Sequence, residues 1–401
     1  MNSSFDPALP DTRAEFGMAK AEVAQRTIWR ASADLFRAAD AVLRHAVLHP
    51  EVFVDEQYLR GDVTEFAVRA AVADLAIRLN LAESTVRDYA HVAATLRERL
   101  PVMWAWFREG EVSTQNARAA AELTLELPPE CWPAFDEQLL DPARTLAPAR
   151  FRSRARALRE KLHTIPLVER KKAAAQCRRV WSEPDRDGMG WLHAYLPNEA
   201  IALITTKVDA EAFDLFREED ESRTMAQLRA DVLSDLLVGG ATGSPRITLA
   251  LTVPVLALLG HGNELPMLEG VGPIDLDTAR RLAVDAPTFT RLLTDPVSGS
   301  VLQLDPNQYR TTAAVKRWFS TRHATCDHPG CGRRIANCDL DHITAWADGG
   351  RTTIQNLAPL CRLHHSLKHQ TRWQVDRPPG TELSVWTSPT GHVRESDPPP
   401  F

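Results

Sequence analysis

Helical texture dominates the first third of the chain, and its starts and stops define the elements. Residues 1–26 read as a loose, flexible N-terminus, followed by a helix rich in Ala, Arg and Leu over Thr27–Leu48. Thr64 can cap a run to Leu79 and Ser84 another to Leu100; Pro101 opens a third toward Gly110. Ser113 starts a fourth, which stops at Pro128-Pro129. The short link Asn80-Leu81-Ala82 admits a helix-turn-helix, but a plain helical hairpin within a bundle is the simpler reading. Trp104, Trp106 and Phe107 then serve as core or interface packing on the third helix. From Gly188 the texture changes. GMGWLHAYLP alternates like a strand, 198–218 and 222–237 return to helix, and ITLALTV reads as a strand. A short helix over Asp277–Leu282 and a hairpin across Asp295-Pro296 follow, and a basic helix, Thr311–Arg322, closes the region. Beyond it, CDLDHI reads as a strand, Gly349-Gly350 as a turn, Arg351–Ile354 as a second strand and PLCRLHHSLKH, from Pro359, as a helix. The last residues suggest a small hairpin ending in a Pro-rich tail, disordered past about Ser396. The expected fold class is mainly α with small β elements. It divides into a mostly helical domain over 27–320, with a β-containing part near 188–305, a module over 321–375, and a hairpin and tail over 376–401.

At 401 residues, with 44% hydrophobic content, the chain has room for two or three ordinary cores. A net charge of −6 argues against a uniformly basic nucleic-acid binder. The charge is uneven, however. Residues 320–375 carry seven Lys/Arg against four Asp, and residues 150–179 carry eleven Lys/Arg opposed only by Glu160 and Glu169. The second run fits a phosphate-tracking stripe or the solvated face of a long connecting helix. The N-terminal residues lack a basic-then-apolar leader pattern, and the longest apolar run, Ile247–Leu259, is too short to span a bilayer. With cysteines clustered rather than spread as a disulfide framework, the expectation is a cytoplasmic protein without a membrane partner.

The chemistry concentrates between Cys326 and His369, which hold four of the six cysteines and five of the 13 histidines. Cys326-x4-Cys331 and Cys361-x2-His364 form two knuckles; together they supply four ligands for a closed, tetrahedral structural Zn2+. On a helix, Cys361 and His364 share a face, while His365 is turned about 100° further round and can serve a second site. Asp341, His342, Asn356 and His365 offer a carboxylate, two imidazoles and an amide, which can hold a divalent cation and activate a water. Adjacent residues in a strand face opposite ways, so the strand must end or twist at Asp341-His342 for both to serve one site. Cys338 reads as a buried strand residue rather than a ligand, His323 and His328 as surface residues, with His328 able to substitute as a ligand, and Lys368 with His369 as lying on the helix face of His365.

The order Asp341-His342, Asn356-Leu357, His365, flanked by the two knuckles, resembles the HNH endonucleases over about an eighth of the chain. One departure is His364, which stands where many members carry Cys; zinc accepts imidazole there. The resemblance implies a zinc-stapled ββα-metal module that hydrolyses DNA. His342 would be the general base, and Asp341 and His365 would hold a catalytic Mg2+ or Mn2+, with Ni2+ and Zn2+ as further candidates. Asn356 would orient His342 or ligate the metal, and Arg362 and Lys368 would hold flanking phosphates. The upstream phrases ERKKAAAQCRRV, DGMGWLHAYLP and SRTMAQLRADVL resemble the large helical region of uncharacterised function that precedes this module in many actinobacterial proteins. Neither a Walker-type loop nor GxSxG nor HExxH occurs in the chain. Two other readings stay open: a catalytically silent zinc module that binds nucleic acid, and an effector or regulator acting on a protein partner through the helical domain.

Overall fold

The computed structural model describes residues 8–59, 63–185, 188–218, 220–238, 251–252, 265–268, 272–284 and 313–398. The chain forms two compact units, Met1–Ile165 with Leu292–Phe401, and Pro166–Arg291. The first unit opens with seven helices: α1 (Ala8–Leu48), α2 (Thr64–Leu79), α3 (Glu83–Arg99), α4 (Pro101–Arg108), α5 (Thr114–Thr124), α6 (Trp132–Thr145) and α7 (Pro148–Leu162). Helix α1 begins far ahead of Thr27, so the segment expected to be loose is helical from Ala8. Residues 14–28 are exposed there, and the strong helix formers Ala, Glu, Lys, Arg and Met of that segment carry the extension without packing. Further along, Phe36 joins Leu96, Leu100, Met103, Phe107, Phe135, Leu139 and Phe151 in one core. Trp104 belongs to it too, while Trp106 is half-buried beneath the Arg144 guanidinium. Ser113 Oγ caps α5 by accepting from the Asn116 N–H, and the Asp136 carboxylate accepts the Val102 and Met103 N–H groups that open α4.

The second unit holds α8 (Leu167–Ala174), an antiparallel pair β1 (Arg179–Pro184) and β2 (Gly190–Tyr195), and the packed helices α9 (Asn198–Phe216) and α10 (Met225–Val238). Val208 and Ala212 of α9 meet Leu228 and Val232 of α10. Short strands β3 (Leu251–Thr252), β4 (Met267–Leu268) and β5 (Gly272–Pro273) form a three-stranded sheet ahead of α11 (Leu276–Val284). The basic run at 150–179 is therefore not one connecting helix: Pro166 separates α7 from α8, and the run ends in β1. Most of the ITLALTV segment and the whole hairpin expected across Asp295-Pro296 lie outside the described residues.

The first unit resumes with α12 (Ala313–Arg322), β6 (Cys338–His342), β7 (Leu357–Cys361) and α13 (Arg362–Gln370), and ends in the sheet β8 (Gln374–Asp376), β9 (Val385–Thr387), β10 (Val393–Glu395). The strand order strand–strand–helix is as the sequence implies, but the second strand is shifted. Arg351–Ile354 forms no strand, and Leu357–Cys361, where the helix was expected to begin, pairs antiparallel with β6. All five β7 residues are buried, so the alternation that marks a half-exposed strand is missing. Pro359 sits opposite Leu340, and its carbonyl accepts the Asp327 N–H at 2.8 Å.

A second core joins the early helices to this module. Val54, Ala67, Ala70 and Ile77 pack with Leu360, Leu367, Trp373 and Trp386. Trp373 Nε1 donates to the Ala70 carbonyl at 3.3 Å, and Val54 bridges Thr371 in β fashion. The α2–α3 turn, with Asn80 in the left-handed conformation, is thus occupied in seating the C-terminal module; it is a hairpin of the bundle rather than a free helix-turn-helix. No helix among the described residues is long and apolar enough to cross a membrane. Trp386 is fully buried in the shared core, so Trp386→Ala should cost about 3–5 kcal/mol in a urea titration. Amide exchange should then quicken in α2 and β7 together; quickening confined to β8–β10 would show that the core is not shared.

Candidate functional site

Two clusters of donors draw on different faces of α13. The first gathers Cys326 and Cys331 from the loop after α12, Cys361 from the end of β7 and His364 from the first turn of α13, with donor atoms all within 4.8 Å of one another. The loop is shaped by Cys326 N–H donating to the Arg333 carbonyl, Cys331 N–H to that of His328, and Gly330 at φ +74°. His364 Nδ1 stands 3.4 Å from Cys326 Sγ and 3.3 Å from Cys361 Sγ. Its Nε2 is 2.7 Å from a Glu83 carboxylate oxygen at the start of α3. Burial disfavours the charge on Glu83, yet His364 and Arg87 hold its carboxyl below the usual range. With Nε2–H donated to Glu83, the Nδ1 lone pair faces the sulfurs, which is the posture of a metal-ligating histidine. This cluster can hold a metal ion.

Two neighbours differ from expectation. His328 is fully buried, not on the surface: its ring stacks on His364 at 3.9 Å and meets the edges of Trp373 and Trp386. The apolar wall of the shared core draws it inward. His323 is half-buried, stacked on Phe319. Cys338 faces Cys361 in the strand register, but its Sγ points to the Arg334 carbonyl at 3.4 Å and lies outside the four-donor group.

The second cluster centres on Asp341. His365 Nε2 is 3.6 Å from one carboxylate oxygen; Lys368 Nζ at 2.8 Å and His369 Nε2 at 3.1 Å approach the other. Asp341, His365 and His369 bring their donors within 4.8 Å of one another and form a second group able to hold a metal ion. Burial opposes ionisation of Asp341, but His365, His369 and Lys368 hold its carboxyl well below the usual carboxylate range, and Asp341 in turn raises His365. Helix spacing puts His365 and His369 four residues apart on one face.

His342 ends β6 and is 6% exposed. Its Nε2 lies 2.9 Å from Thr352 Oγ1, and its ring meets the Trp346 edge. Burial is the main cause that lowers its pKa, which favours the neutral ring. Lys368 Nζ also contacts the His342 carbonyl, so one ammonium ties Asp341 to the strand end. Asn356 holds the loop beyond: its Oδ1 accepts the Thr344 N–H at 2.8 Å, and its Nδ2 donates to the Thr344 and Arg351 carbonyls at 3.1 and 2.9 Å. Gly350 lies so close that a Cβ there would run into the Thr344 carbonyl and Asn356 Nδ2. Arg362 is exposed at the first position of α13.

Sequence reasoning did not single out Glu83, Thr352 or the metal-facing role of His369. Only His369 carried a local signal, its four-residue spacing from His365; Glu83 is 281 residues from its partner.

The chain matches two family profiles. One, described as a domain of unknown function (DUF222), covers residues 29–322, and the other, described as HNH endonuclease, covers residues 325–371. The uncharacterized protein Rv3776 of Mycobacterium tuberculosis is 27% identical, over 82% of this chain and 70% of its own. The uncharacterized protein Rv2100 of the same organism is 25% identical over 82% of this chain and 69% of its own. No solved structure matches the chain.

Asn356→Ala removes three hydrogen bonds from the 343–352 loop while sparing every metal donor. It should lower stability by about 1–3 kcal/mol and speed exchange of the Thr344 amide. An unchanged Thr344 amide would mean that the clamp does not hold the loop.

Proposed function

Because the chain belongs to the DUF222 family and carries an HNH endonuclease domain, we propose that it is a metal-dependent endonuclease that hydrolyses phosphodiester bonds in DNA. The observation that carries this reading is the convergence of Asp341, His365 and His369 on one point, at the end of the strand that presents His342.

The Cys326, Cys331, Cys361, His364 tetrad fits a structural zinc. Around a tetrahedral zinc, sulfur and nitrogen ligands stand about 3.6 Å apart, close to the 3.3 and 3.4 Å separations here. Three thiols and an imidazole leave no open position for substrate. Asp341, His365 and His369 fit the catalytic cation, with Mg2+ or Mn2+ the first candidates. When bound, the cation would polarise the scissile phosphate and stabilise the leaving oxygen. His342, neutral and oriented by Thr352, would accept the proton of the attacking water at its ring. Asn356 would act as a positioning residue, keeping the 343–352 loop and with it Thr352 in place. Lys368 is engaged inward on Asp341, so exposed Arg362 is the better candidate to hold a flanking phosphate.

One observation favours a second reading, nucleic-acid binding without cleavage: Lys368 already occupies an Asp341 oxygen that the cation would use. Incubation of the purified protein with plasmid and Mg2+, Mn2+, Ni2+ or Zn2+, each against EDTA, separates the two. Elemental analysis should find about one tightly held zinc per chain. His342→Ala should keep that zinc and still bind DNA while cleavage falls by about 10²-fold or more. Cys331→Ser should lose zinc, local order and activity together. Cleavage by His342→Ala at the parent rate would sink the catalytic reading.

A further inference from the structure

The four zinc donors all come from the C-terminal module, but the carboxylate that holds His364 comes from the helical bundle. We propose that Glu83 is the positioning residue of the zinc site, and that zinc thereby latches the α2–α3 hairpin to the nuclease module. The inference rests on the zinc reading of the tetrad.

Several features aim this carboxylate at His364 rather than leaving it a chance surface contact. Glu83 is the first residue of α3, where the helix N-terminus favours negative charge. Arg87, one turn on, holds its other oxygen at 3.1 Å. The left-handed Asn80 ends α2 and turns the chain back, so that α3 starts against the knuckle; Gly330 of the knuckle lies beside the Leu81 carbonyl. From the far side, the parallel His328 ring fixes the plane of His364. The imidazole is therefore held at its edge by the bundle and at its face by the module, with Nδ1 committed to the metal. Outer carboxylates of this kind fix the tautomer and orientation of a ligating histidine, and their loss typically costs 10–100-fold in metal affinity. Because binding energies are reciprocal, a bundle residue that tightens zinc obliges zinc to tighten the bundle's hold on the module. The seam itself is open to solvent: a cleft of about 910 Å³ runs along it between Arg69, Arg87, Gly330 and His364. A chelator can approach the tetrad along that cleft.

The test follows zinc release from the full-length protein into excess chelator, for the parent, Glu83→Gln, Glu83→Ala and Arg394→Ala. Arg394 makes another bundle contact, to Asn80 at 3.0 Å, and neither residue belongs to the tetrad or is the carboxylate on His364. Release should be 10–100-fold faster in Glu83→Ala, intermediate in the isosteric Glu83→Gln, and unchanged in Arg394→Ala. In the parent, zinc removal should also speed amide exchange across residues 79–86. Release from Glu83→Ala at the parent rate, or equal acceleration by Arg394→Ala, would overturn the positioning role and leave the zinc site standing. A parent that carries no zinc when isolated would overturn the zinc reading and this inference together.

Discussion

The C-terminal module depends on a hydrophobic face that it does not itself supply. One small cluster, Val315, Trp318, Phe319, Ile335 and Leu357, lies wholly within it. Its largest buried side chain, Trp386, faces α2 instead, with Leu360, Leu367 and Trp373. Modules of this size rarely stand on one small core and recruit a metal or a neighbouring surface. This one has donors for the first and α2 for the second. The alanines of α2 are what let β7 and α13 come so close.

Charge completes what packing starts. At the Asp341 cluster, one carboxylate meets two imidazoles and an ammonium within 3.6 Å, so the site is electrically satisfied yet holds exchangeable partners. Asp341 and His342 point to different partners, as neighbours in a strand must. The strand ends at His342, and Lys368 spans the backbone between them. The two side chains therefore sit side by side at the strand's end rather than on one face.

The sequence revealed what is local and chemical. The knuckles, the Asp341-His342 pair, Asn356 and His365 stood out because each is fixed by short spacing; Pro101 does open α4 and Ser113 does cap α5, whereas Thr64 and Ser84 lie inside α2 and α3, whose N-cap positions are Val63 and Ala82. Three kinds of feature escaped. Strand β7 carries no alternation because it is buried on both sides, and its proline points to a helix start. His328 looked like a surface residue until three rings from distant segments enclosed it. Glu83 has nothing nearby to distinguish it from any helix-opening glutamate; only folding brings it to His364.

The shared core also sets an order of events. Trp373 and Ala70 are 303 residues apart, and Arg394 and Asn80 are 314 apart. During synthesis the inner face of α2 waits for partners such as Trp373, which follows Ala70 by 303 residues. The HNH module is thus completed on helices that precede it in the chain, so a product truncated before Cys326 would carry the platform without the module.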